Sequence, residues 1–95
     1  MAAYVIVDIE VHDDPGMVEY RKLVPATVEK YGGRFAVRGG AFEVREGSWR
    51  PKRIVVLEFP SMDAARRWYD SPEYAPLLAM RQKASRANLV IVDGG

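Results

Sequence analysis

Two charged residues interrupt otherwise apolar stretches of this chain. Arg38 closes the run Arg34-Phe35-Ala36-Val37-Arg38, and Glu58 sits in Ile54-Val55-Val56-Leu57-Glu58-Phe59. A carboxyl held partly out of water has its pKa raised toward neutrality and can give or take a proton. A guanidinium offers paired N–H donors that hold a carboxylate or an enolate-like oxygen. Arg38 and Glu58 are therefore the candidate catalytic residues. The competing reading is a structural ion pair, or two charges at the rim of a sheet.

Trp68, Tyr69, Ser71 and Tyr74 form a second group around a Ser-Pro break. Flat rings with polar tips suit the wall of a pocket for a small organic molecule, and a phenol can donate to a ligand oxygen. These four are the candidate ligand-binding residues, set against the plainer role of closing the core. Arg81 follows one to two turns on and faces either solvent or the same cleft. Asp8, Glu10 and His12 alternate along one strand. Such a set can ligate a metal or move protons, but there is no second histidine and no clustered ligand set. The better reading is a strand running into solvent, with no metal. Gly32-Gly33 and Gly39-Gly40 lack the spacing of a phosphate-cradling loop, and no serine sits in a nucleophile-elbow context.

The elements that must position these residues follow from periodicity. Residues 3–11 read as a strand, with Val5, Val7, Ile9 and Val11 on one face. Asp14 is the expected cap of a helix, and Pro15 suits its first turn. Met17, Tyr20, Val24, Val28 and Tyr31 give that helix one apolar stripe, so Tyr20 and Tyr31 are assigned to the core. Gly32-Gly33 ends it. A second strand is expected from Arg34 to about Arg45, with a bulge at Gly39-Gly40 bringing Phe35, Val37, Phe42 and Val44 onto one face and Arg38 onto the other. Residues 53–59 form a third strand. Ser61 caps a helix, Ser71-Pro72 breaks it and recaps another over Glu73 to about Ala84, and Ala87–Val92 is the last strand. The order is β-α-β-β-α-β, an α+β ferredoxin-like domain spanning residues 1–95.

Ninety-five residues with no cysteine and 14 basic against 13 acidic side chains argue against a disulfide scaffold and give no basic footprint for nucleic acid. Met1-Ala2-Ala3-Tyr4 leads straight into a strand, so no signal peptide is expected. No apolar run approaches the ~20 residues of a membrane span. A cytoplasmic protein without nucleic-acid or membrane partners is the expectation.

Three strands carry continuous apolar centres: Val5-Ile6-Val7, Ile54-Val55-Val56-Leu57 and Leu89-Val90-Ile91-Val92. Such runs mark strands buried on both faces, yet this topology places helices on one face only. A second copy covering the open face, a homodimer, is the simplest remedy.

Tyr31-Gly32-Gly33, Arg38-Gly39-Gly40, Leu57-Glu58-Phe59-Pro60 and Trp68-Tyr69-Asp70-Ser71-Pro72-Glu73-Tyr74, in this order and with Tyr4-Val5-Ile6-Val7 and Tyr20-Arg21, resemble the domain-of-unknown-function 1330 family over essentially the whole chain. The resemblance implies the dimeric α/β-barrel superfamily, in which two ferredoxin-like sheets face each other. That superfamily includes cofactor-independent monooxygenases, muconolactone-isomerase-like proteins and haem enzymes. It assigns no activity, and no proximal-histidine context supports haem, so no cofactor is expected. Two functions fit: a cofactor-independent, monooxygenase- or isomerase-like enzyme acting on a small organic molecule, or a non-catalytic small-molecule-binding or accessory dimer. RNA binding shares the element order but needs stacking aromatics on the central strands, where this chain has Ile54, Val55, Val56 and Leu57.

Overall fold

In the computed structural model, which describes all 95 residues, β1 (Ala3–Val11) is followed by a 3-10 turn (Pro15–Met17), α1 (Val18–Lys30), β2 (Arg34–Arg38), β3 (Ile54–Phe59), α2 (Met62–Tyr69), α3 (Ala75–Ala84) and β4 (Ser85–Asp93). The four strands form one antiparallel sheet in the order β2-β3-β1-β4. This is the expected ferredoxin-like α+β arrangement, with its second helical segment divided in two. No helix is long and apolar enough to cross a membrane.

The caps explain where the helices begin and end. Ser61 is extended and its side chain accepts from the Ala64 amide, as expected of a cap. Asp14 does not fill that role. Its backbone is already helical (φ −61°, ψ −44°), which denies its carboxylate the forward reach of a capping residue. Asp13 accepts from the Gly16 amide instead, while Asp14 pairs with Arg21 at 2.7 Å. At the other end of α1, Gly32 takes φ +82°. Its amide bonds Glu29 O, and that of Gly33 bonds Val28 O. These are the two bonds of a Schellman stop.

Pairing registers assign every strand residue to a face. Val37, Val56, Ile6 and Val90 form an aliphatic row across the open face, and Arg34, Glu58, Tyr4 and Val92 form the row beside it. On the helix face the rows are Phe35, Leu57, Val5, Ile91 and Arg38, Val55, Val7, Leu89. The core lies between the helix face and the helices. It includes Val5, Leu57, Phe59, Val24, Val28, Leu77 and a Trp68 that is 1% exposed. The Phe59 and Trp68 rings pack 5.5 Å apart.

The second strand departs from expectation in two ways. It ends at Arg38, and residues 39–45 are not part of the sheet. Its bulge falls between Phe35 and Val37, not at the glycine pair. Gly39 (φ +73°) serves instead to turn the chain out of the strand. The extra residue at Ala36 sends Val37 to the open face and returns Arg38 to the face of Phe35. Phe42 and Val44 then have no sheet to pack on and stay exposed, as does Trp49 at 57%.

Gly33 shows how tightly α1 meets the sheet. A Cβ there would stand 2.5 Å from the ring of Phe59, itself 1% exposed. Gly33→Ala is expected to lower stability by about 1–3 kcal/mol through overpacking, read as a reduced urea midpoint with an unchanged slope. An unchanged midpoint would show that the ring has room to move.

Candidate functional site

The row Arg38, Val55, Val7, Leu89 floors a cavity of about 80 Å³ between sheet and helices, with Tyr20 and Val24 from α1 above it and Trp68, Tyr74 and Arg81 closing its far side. Twelve of its 16 lining residues are apolar or aromatic, and the other four are all arginines: Arg21, Arg38, Arg53 and Arg81. No Asp, Glu, His, Lys or Cys contributes to the wall.

Arg81 is the unusual member. Tyr74, Leu77, Arg81 and Ala84 lie along one buried face of α3 and its cap, so the helix carries the guanidinium into the core, where it is 6% exposed. No carboxylate pairs with it; the ion pairs of this protein involve other residues. Its Nε donates to the Tyr74 hydroxyl at 3.3 Å, and that hydroxyl meets Tyr20 Oη at 2.9 Å. No buried side-chain polar atom is sealed without a partner, and Arg81 borders two depressions. One is the inner cavity. The other is an outer hollow lined by Tyr69, Gln82, Ser85, Ala87, Leu89 and Ile91. Burial opposes the charge, but the phenol oxygens of Tyr74, Tyr20 and Tyr69 outweigh it and hold the Arg81 pKa above its ordinary value. Burial first, and the neighbouring Tyr74 second, push the Tyr20 hydroxyl up, so it stays protonated. An unpaired buried cation costs on the order of several kcal/mol.

The aromatic residues singled out in the sequence divide their labour. Trp68 and Tyr74 line the cavity with ring centroids 4.2 Å apart, and Trp68 Nε1 donates to Thr27 Oγ1 at 3.0 Å. Tyr69 lines the outer hollow. Ser71 stands behind them: its hydroxyl donates to Trp68 O and accepts from the Tyr74 amide, pinning the turn that presents both rings. Tyr20, which its spacing assigns to the core, is also a site residue. The signal that could have found it is a phenol on the same stripe as Met17 and Val24, opposite another phenol.

Arg38 and Glu58 do not meet. The bulge at Ala36 turns Arg38 into the cavity mouth, where its guanidinium lies 4.4 Å from the Phe35 ring centroid. Glu58 is on the opposite face, bound by Arg34 and by the Tyr4 hydroxyl. The Asp8, Glu10, His12 set is likewise dispersed. Asp8 accepts from Trp49 Nε1 at 2.9 Å and from the Lys52 amide at 3.3 Å, Glu10 and His12 are exposed, and no group of three such side chains converges.

The end of α1 is fastened to the turn between α2 and α3, which carries Glu73. Glu73 accepts from Lys30 and, at 2.8 Å, from the Tyr31 hydroxyl. The bonds from Lys30 first and Tyr31 second lower its pKa to about 2. A depressed carboxylate stabilises fully above its unfolded pKa of about 4.5 and loses that contribution as the pH falls toward 2. The fastener should therefore survive to mild acid. Carboxyl resonances followed by NMR are expected to place the Glu73 midpoint near 2, and Tyr31→Phe should move it upward. A midpoint near 4 in the unsubstituted protein would show that the two bonds do not form.

Several solved structures share this architecture. A protein of unknown function from Rhodopseudomonas palustris matches with a TM-score of 0.76 and 17% identity, covering 99% of this chain and 82% of that one. SnoaB, a cofactor-independent oxygenase from Streptomyces nogalater, matches with a TM-score of 0.59 and 18% identity, covering 99% and 93%. A dimeric protein of unknown function and ferredoxin-like fold from Bacteroides fragilis matches with a TM-score of 0.53 and 13% identity, covering 97% and 95%. At these identities the likeness is one of fold. No curated protein sequence matches. The family model described as Domain of unknown function (DUF1330) matches residues 2–95, and with that span the chain belongs to this family.

Proposed function

We propose that the protein is a homodimer in which each subunit binds a small organic acid between sheet and helices, and that it acts on that acid as a cofactor-independent enzyme, oxygenase- or isomerase-like. The observation that carries the reading is Arg81: a buried guanidinium, free of any carboxylate, facing an apolar cavity beside two phenol hydroxyls. In a water-poor cleft such donors hold a ligand carboxylate, and they stabilise negative charge that develops on an enolate or peroxide oxygen. SnoaB, of like fold, is described as a cofactor-independent oxygenase, which supports the reaction class. Arg38, Trp68 and Tyr74 serve as further ligand contacts, Tyr69 as a contact from the outer hollow, and Ser71 as their support. Glu58 belongs to the open face.

A second reading, a non-catalytic binding protein, draws on the cavity wall itself. It contains no carboxylate or imidazole, hence no general base for neutral pH. Incubating the protein with each bound acid in oxygenated buffer, followed by mass spectrometry, separates the two. A product with added oxygen or a shifted double bond supports the enzyme, and binding without conversion supports the carrier.

Small carboxylic acids are expected to raise the melting temperature, and Arg81→Met to weaken their binding by at least about tenfold. Removing an unpaired buried charge should leave the ligand-free variant at least as stable as the parent. If the variant is instead markedly destabilised, and no acid shifts the parent, Arg81 is a structural residue.

The dimer rests on the open face, where Val90 is 57% exposed and Val37 and Val92 lie bare beside it. Apolar rows of this kind are covered in stable proteins. Facing sheets, with Phe42, Val44 and Trp49 of the β2–β3 connection around them, would bury these side chains. The similar protein described as dimeric supports this arrangement. Sedimentation is expected to find a dimer at micromolar concentration, and Val90→Glu a monomer. A monomeric parent would remove the proposal.

A further inference from the structure

We infer that the ligand carries two acidic groups: one bound by Arg81 inside the cavity, the other taken at its mouth by Arg38 and Arg53. This rests on the reading of the cavity as an organic-acid site and names the class of acid. Arg38 and Arg53 both line the same cavity as Arg81, and neither has a carboxylate partner. In the β2–β3 connection Glu43 pairs with Arg45, not with either of them. Two like charges repel when brought to one rim, yet each is held there by a specific device. The Arg38 guanidinium rests on the Phe35 ring. The Arg53 guanidinium donates to Arg38 O and lies against Gly39, where a Cβ would come within 2.4 Å of its Cζ. Gly39, with φ +73°, thus clears the space that Arg53 occupies. An anion at the mouth would relieve the repulsion and take a forked pair of donors.

The distance between the two anchors limits the ligand. Arg38 is on β2, where its guanidinium stays over the Phe35 ring, and Arg81 shares the cavity wall with Leu89 of β4, with β3 and β1 between the two strands. Three interstrand steps span about 14 Å, an upper bound on the separation of the two anchors along the floor. The cavity between them is small, about 80 Å³, and bordered by Val55, Val7 and Trp68. The fitting molecule is a short dicarboxylate with an apolar or unsaturated middle.

Calorimetric titration of matched pairs tests this: butanoate to hexanoate against succinate to adipate, and benzoate against the phthalates. At least one diacid is expected to bind about tenfold tighter than its monoacid, and Arg38→Gln/Arg53→Gln to bring that diacid down to the monoacid level. Both residues are exposed, so the double variant is expected to keep its circular dichroism spectrum. If monoacids bind and diacids bind no tighter, the inference falls and the single-acid site stands. If a diacid is tighter but the double variant keeps the difference, its second group lies elsewhere and the inference falls. If neither class binds, the organic-acid reading itself falls.

Discussion

Alternation along paired strands commits every residue of a four-stranded sheet to one of two faces, and only one face here has helices above it. Much else follows from that division. The covered face has Val5, Leu57 and Phe59 packed under Trp68 and Val28, together with the cavity. The uncovered face has the aliphatic row Val37, Val56, Ile6, Val90 and, next to it, the polar group Tyr4, Arg34, Glu58. The two faces therefore draw on different side chains, and substitutions on one need not damage the other.

Within the covered half, the unusual investment is a cation. A guanidinium in a core is tolerated when its donors are occupied and its surroundings polarisable. Arg81 has one donor on Tyr74, whose hydroxyl in turn contacts Tyr20, with aromatic rings around it. Three elements converge on that group: α1 supplies Tyr20, the Ser71 turn supplies Tyr74, and α3 supplies Arg81. Loosening α1 from the α2–α3 turn would separate the phenols, so the Glu73 fastener bears on the Tyr20–Tyr74 contact from outside the cavity wall.

Much of this architecture was legible in the residues. The apolar run of β1 marked its limits, the Ser61 cap and the Gly32-Gly33 stop marked helix ends, and continuous apolar strand centres marked a sheet that is apolar on its open face as well. What was not legible depended on tertiary placement. The bulge at Ala36 has no glycine to announce it, whereas the glycine pair that suggested one ends the strand instead. Arg38 and Glu58 looked alike as charges in apolar strands, and only the register puts them on opposite faces. Arg81 stood on a helix whose apolar residues surround it on nearly all sides, so periodicity did not decide its direction. Tyr20 looked like core because a phenol contributes to a stripe as well as phenylalanine does; its hydroxyl matters only because Tyr74 arrives opposite.

The bulge has one more consequence. β2 has the equivalent of a reading frame, and Ala36 is the inserted letter. Ahead of it Phe35 points to the helices, and after it Val37 points away and Arg38 points back. Were Ala36 paired regularly instead of bulged, the downstream side chains would exchange sides: an aliphatic group would enter the mouth of the cavity and a guanidinium would be placed among Val56, Ile6 and Val90. A deletion of Ala36 would thus keep Arg38 at the cavity and only straighten the strand, whereas losing the bulge with the residue in place would move the guanidinium to the open face.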